Sequence, residues 1–165
     1  MPDMTTLSLP PSIASPQDVT SVTLEIKQYA SWYNNEAIKQ RVGVTKPTTQ
    51  PELSPAAIDM LRIYAAHDTI DKTSLEALIA LLEQFSSSAP VMTITLAAPA
   101  PPSLKLHLTE WCRHNIAANI LVSVRFNSTL LGGMIVRHGS HIFDWSFRTQ
   151  LMKHTAKIPE ILSRV

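Results

Sequence analysis

The chain has 165 residues, 45% hydrophobic and 16% charged, with a formal net charge of +1. That size suits one ordinary domain or two small ones, and the composition excludes a disordered chain. A single cysteine, Cys112, excludes an internal disulfide and a Cys-rich zinc site.

No apolar run approaches the roughly 20 residues of a membrane helix. The first basic residue is Lys27, which argues against a secretory signal or an Arg-rich transit peptide. A soluble cytosolic protein is the expectation. Charge is unevenly spread: residues 1–102 hold 6 Lys+Arg and 10 Asp+Glu, whereas residues 103–165 hold 8 and 3, with five of the six histidines. Eleven of twelve prolines lie at or before Pro102. Such a shift predicts two domains, the second with a basic surface suited to an acidic partner.

Residues 1–14, with three prolines and no periodicity, read as a flexible tail. Ser15-Pro16-Gln17-Asp18 is a helix start: Ser15 caps, Pro16 fits the first position and Asp18 meets the positive end of the dipole. Val19, Val22, Ile26, Tyr29, Ala30 and Tyr33 then recur at helical spacing, with an interruption expected at Asn34-Asn35 before a continuation to Val42. Residues 43–53 form a loop. Ser54-Pro55 opens a second helix, carrying Ile58, Leu61, Ile63 and Tyr64, to about His67. Asp71 to Ser74 opens a third, with Leu75, Leu78, Ile79, Leu82 and Phe85 on one stripe, ended by the run Ser86-Ser87-Ser88-Ala89-Pro90. Residues 15–88 are thus a bundle of three to four helices.

The period changes at Val91 to Leu96, which alternates apolar residues with threonine, a strand signal. A helix follows, placing Leu104, Leu108, Trp111 and Cys112 on one face. The next strand puts Ile120, Val122, Val124 and Phe126 inward. After a turn at 127–129, Leu131 to Arg137 returns with Met134 and Val136 inward. Gly139-Ser140 turns into a short strand, 141–143, and a last helix runs from about Asp144 toward Lys157. Residues 89–165 therefore read as an α+β domain of order β-α-β-β-β-α.

Catalytic patterns are absent. Gly132-Gly133 lacks the spacing and lysine of a phosphate loop, and there is no nucleophile elbow, HExxH or carboxylate pair. His138 and His141 flank a turn but lack further zinc ligands. Cys112 beside Trp111 reads as a buried small hydrophobe rather than a nucleophile. A nucleic-acid module is the alternative function: the basic second half supports it, with Arg125 and Arg137 expected opposite one another on the outer face. Against it, Phe126 reads as core, and Phe143, Trp145 and Phe147 are too close in sequence for one flat platform. Asp144-Trp145-Ser146-Phe147-Arg148 reads as a strand ending in a helix cap, with Arg148 reaching back to Asp144.

The run Ser128 to Leu151 (STLLGGMIVRHGSHIFDWSFRTQL) resembles the C-terminal signature of the delta subunit of F-type ATP synthase, the oligomycin-sensitivity-conferring protein family. The matching positions include Leu131, Gly132, Gly133, Arg137, Gly139, Asp144, Ser146, Arg148 and Leu151. More weakly, Val91 to Leu96 is similar to the strand that opens the family's C-terminal domain, and Leu53 through Phe85 to its last two bundle helices. Two departures stand out. Trp145 replaces the family's glycine, which would be strained if that position needs positive φ. Residues 1–88 also offer fewer helices than the family's six-helix bundle.

The resemblance implies a non-catalytic peripheral-stalk subunit, without cofactor or metal, that joins the catalytic head to the b subunits and resists rotor torque during proton-driven ATP synthesis. Its implied partners are N-terminal segments of alpha subunits, with Ile58, Leu61 and Tyr64 marking the candidate alpha-binding helix, and C-terminal helices of the b subunits. It implies no direct nucleic-acid contact and a cytoplasmic place on the inner face of the cell membrane, reached only through the complex.

Overall fold

The computed structural model describes residues 9–43, 49–65 and 70–154. The chain divides after Ala89 into two compact units. Taken along the chain the α+β reading holds: the first unit contributes helices, the second a mixed four-stranded sheet with helices.

In the first unit α1 spans Pro16–Val42, α2 Pro55–Ala65 and α3 Lys72–Ser88. The start of α1 is a complete capping box. The Ser15 hydroxyl accepts from the Asp18 amide at 3.3 Å, and the Asp18 carboxylate accepts from the Ser15 and Ala14 amides at 2.8 and 3.1 Å. Such a cap is worth about 1 kcal/mol. Val19, Val22, Thr23, Ile26 and Ala30 form the buried stripe, the Thr23 hydroxyl donating to the Val19 carbonyl so that no polar atom is left unmet. Asn34 and Asn35 do not interrupt the helix. It ends instead at Gly43, whose φ of +76° is the left-handed stop that glycine adopts freely.

The Ser54 amide donates to the Glu25 carboxylate at 2.8 Å, tying the entrance of α2 to α1. A second box, Asp71 with Ser74, opens α3. The helix ends within the expected run 86–90, its last helical residue being Ser88 and its cap Ala89, just before Pro90. Ser87 and Ser88 donate their hydroxyls to the Gln84 carbonyl at 2.8 Å each, meeting the exposed last turn from within. Leu75, Leu78, Leu82 and Phe85 are the buried stripe of α3, which packs chiefly on α1. The expectations for residues 1–8, 44–48 and 66–69 and for the chain beyond 154 lie outside the described residues.

In the second unit the order is β1 Val91–Leu96, α4 Pro102–Asn115, β2 Leu121–Phe126, a 3-10 turn Ser128–Leu130, β3 Met134–His138, β4 His141–Asp144 and α5 Phe147–His154. The strands lie in the order β2-β1-β3-β4. β1 and β2 are parallel and joined by α4 as a crossover; β1/β3 and β3/β4 are antiparallel. The core comprises Met92, Ile94, Cys112, Ile120 and Val122, edged by Leu96, Leu108, Ala117, Val124 and Val136.

Three inward assignments are corrected. Trp111 is 58% exposed, because the face of α4 on the sheet centres on Cys112 with Leu108 and Thr109, and Trp111 lies one residue, about 100°, round the helix. Phe126 is 55% exposed at the end of an outer strand, and Met134 is also exposed, at the start of β3. The arginines Arg125 and Arg137 do share a face, but β1 runs between them, its Thr95 and Thr93 being their respective neighbours.

Candidate functional site: the junction around Gly133 and Asp144

Part of the signature, Gly132, Gly133, Asp144 and Ser146, meets where β4 passes into α5, whereas Arg137 lies within β3 and Gly139 in the turn at the other end of the hairpin. Upstream, the Asn127 side chain accepts from the Thr129 amide at 3.0 Å and its hydroxyl at 2.8 Å, shaping the 3-10 turn. Leu131 closes that turn at φ +62°, the one non-glycine residue with positive φ among the described residues. Pairing of β3 with β4 then continues past the strand ends. The Trp145 amide donates to the Met134 carbonyl, and the Phe147 amide to the Gly132 carbonyl, both at 2.9 Å.

This continuation explains the glycines. Gly133 has φ +77°, and a Cβ there would lie 2.2 Å from the Trp145 carbonyl oxygen, so glycine is required on two counts. Gly132 only approaches the Phe147 ring, at an ordinary 3.5 Å. Gly139, at φ +57°, makes the two-residue turn between His138 and His141. Trp145 is unstrained: it lies outside the positive-φ set and bridges to Met134 in extended pairing.

Asp144 organises the start of α5. Its Oδ1 accepts from the Ser146 amide at 2.8 Å and its Oδ2 from the Thr149 hydroxyl at 2.7 Å. The buried Ser146 hydroxyl accepts from the Thr149 amide at 3.3 Å and donates to the Thr149 hydroxyl at 3.2 Å. The partner of Asp144 is therefore Thr149, one residue beyond the expected Arg148. The Ser146 side chain and amide, then Thr149 and the nearby Lys153 charge, hold the Asp144 carboxyl below its ordinary value. Asp71 is lowered in the same way, first by the Ser74 amide.

The sign follows. A depressed folded pKa adds stability above the unfolded value of about 3.9 and loses it as pH falls through the folded pKa. Thermal midpoints are expected to drop as pH is lowered below about 5, and Asp144→Asn is expected to flatten that drop, since its contribution no longer titrates. A series of melts between pH 3 and 7, taken as about five points, checks it.

Arg137, Arg148 and Leu151 are exposed. The candidate trio on α2 is not one open face: Ile58 is exposed and Tyr64 half-buried, but Leu61 is 8% exposed and belongs to the bundle core. Cys112 is buried with its sulfur 3.7 Å from that of Met92, and burial pushes its thiol pKa up, against a nucleophilic role. No group of three or more metal-ligating side chains occurs among the described residues. The sequence reading missed the row formed by His141, Phe143 and Trp145. Their rings lie on one side of β4 at centroid distances of 6.5 and 5.8 Å and are near-parallel, tilted by 22° and 17°. The i, i+2, i+4 spacing of the three was the available signal.

Residues 70–158 match the family model described as ATP synthase delta (OSCP) subunit. The chain belongs to that family. The match begins at the cap of α3 and takes in β1 through α5, so the resemblance of the Ser128–Leu151 run holds over the whole sheet. Among relatives, "ATP synthase subunit delta" of Myxococcus xanthus is 36% identical over 58 residues, 35% of this chain and 32% of that one. The protein of the same name from Roseiflexus castenholzii is 23% identical over 137 residues, 81% and 84% of the two chains. The first alignment thus spans about a third of that relative's length, the second most of it. The family is one of structural rather than catalytic subunits of ATP synthase. Among the described residues no helix is long and apolar enough to cross a membrane.

Proposed function

We propose that the chain is a stator subunit that ties the catalytic head of an F-type ATP synthase to the b subunits of the peripheral stalk and holds the head against rotor torque. The observation that carries this reading is the family match over residues 70–158, which spans the entire described sheet and α5. Two compact units with separate cores suit an adaptor with two binding faces. On this reading the first unit receives N-terminal segments of alpha subunits, with Ile58 the exposed member of the α2 trio, Tyr64 half-buried and Leu61 in the core. The basic second unit receives the C-terminal helices of the b subunits. The protein then sits on the inner face of the cell membrane through the complex alone.

The experiment is affinity purification of the tagged full chain from solubilised membranes of its source, with co-purifying chains quantified by mass spectrometry. Head and stalk subunits in near-equal amounts are the expected result; their absence overturns the reading. Charge reversal of the exposed pair, Arg137→Glu with Arg148→Glu, is expected to lower b-subunit recovery at least about fivefold at low salt and to leave the fold intact. Unchanged recovery would remove the basic surface from the interface.

A further inference from the structure

The bonds Trp145 N–H to Met134 and Phe147 N–H to Gly132 fix the hydrogen-bonding parity of β4. His141, Phe143 and Trp145 turn their backbone groups toward β3, so Ile142 and Asp144 turn theirs away from the sheet. β4 is the last strand in the order β2-β1-β3-β4, and among the described residues nothing bonds the outward N–H and C=O groups of Ile142 and Asp144. Exposed edges are blunted by shortness, charge, proline or a bulge. β4 is short and ends in Asp144, but it carries no lysine or proline and its register with β3 is unbroken. Ile142, Phe143 and Trp145 are 58%, 49% and 53% exposed, so both sides of this edge carry open apolar surface.

Charge selects the kind of chain that would fit. Between Met134 and Lys153 the cations are Arg137, Arg148 and Lys153, beside His138 and His141. The one carboxylate, Asp144, has both oxygens engaged by Ser146 and Thr149. Arg137 is the cross-strand neighbour of Ile142 itself. We propose that the free edge of β4 accepts an extended acidic segment of a partner polypeptide as a fifth strand, its alternate apolar side chains packing on the row His141, Phe143 and Trp145. The proposal rests on the stator reading and adds to it a contact through an extended partner segment, beside the helices that the reading gives to this unit.

The test titrates the full chain with the synthetic peptide acetyl-Glu-Val-Glu-Val-Thr-Val-Glu-Val-Glu-amide, and with its lysine-for-glutamate counterpart, while amide hydrogen exchange is followed. The acidic peptide is expected to slow exchange at Ile142 and Asp144 at least about tenfold, and the lysine peptide to leave it unchanged. Ile142→Pro removes only an outward donor and leaves pairing with β3 in place, so it is expected to abolish the slowing at the remaining outward amide, Asp144. Phe143→Ser, at a half-exposed site, is expected to weaken it and serves should the proline variant fail to fold. Four outcomes overturn the proposal: no protection; changes at the Phe143 and Trp145 rings without slowed exchange; slowing with protein concentration alone, which is self-pairing; or protection by oligothymidylate and not by the peptide. In the affinity purification, equal subunit recovery by wild type and Ile142→Pro overturns strand addition and leaves the stator reading standing. Recovery of no synthase subunit by wild type overturns both.

Discussion

Gly133→Ala is expected to cost the second unit about 3–5 kcal/mol, the sum of left-handed strain at a residue with a Cβ and of displacing a packed strand end. A Cβ 2.2 Å from the Trp145 oxygen cannot be accommodated by a side-chain rotation, because the obstructing atom is backbone. The extended stretch from Asp144 to Phe147 must move, and with it the Asp144–Ser146–Thr149 cap of α5. Against a typical stability of about 5–15 kcal/mol, that is a fall in melting temperature of more than about 15 °C for a unit of this size. Gly132→Ala is the control: its added methyl meets the Phe147 ring at ordinary contact distance and is expected to cost under about 1 kcal/mol. Thermal melts of the two variants check the contrast, and equal midpoints would show that β4 does not approach Gly133 as described.

Leu78→Ala is expected to be the most damaging single truncation in the first unit, by about 3–4 kcal/mol. Leu78 is fully buried on the stripe of α3 that packs on α1, among Leu75, Leu82 and Phe85. Deleting its isobutyl group loses the transfer energy and leaves a cavity that two long helices cannot close, a cost of about 2–5 kcal/mol in well-packed cores. Leu24→Ala, at a site 54% exposed on α1, is expected to change stability by less than about 0.5 kcal/mol. Urea denaturation of both variants gives the comparison, the midpoint shifting without a change in slope.

What the sequence made legible was local chemistry. The α1 start at Ser15-Pro16-Asp18, the strand Val91 to Leu96 and the hairpin at Gly139-Ser140 rest on contacts within a few residues, and the structure has each where the pattern put it. Failures came where the answer depends on distant neighbours. Whether Trp111 and Phe126 are buried depends on where α4 lies over the sheet, which no period encodes. The junction was recognised by its residue types, yet the clash that makes Gly133 necessary arises from Trp145, twelve positions away. Thr149, five residues from Asp144, is a local partner that the cap pattern did not single out from its neighbour Arg148.

The placing of β1 at the centre of the sheet, between a parallel and an antiparallel neighbour, has a consequence during synthesis. Val91 to Leu96 emerges from the ribosome with neither partner made: β2 ends at Phe126 and β3 at His138. Until then it is a six-residue segment of high strand propensity with no charge and no proline, the kind of sequence that pairs with copies of itself. The prolines at 90, 99, 101 and 102 flank it on both sides and deny a foreign strand a longer ladder. The proline-rich connection into α4 thus protects the nascent chain until the hairpin of β3 and β4 arrives to complete the sheet.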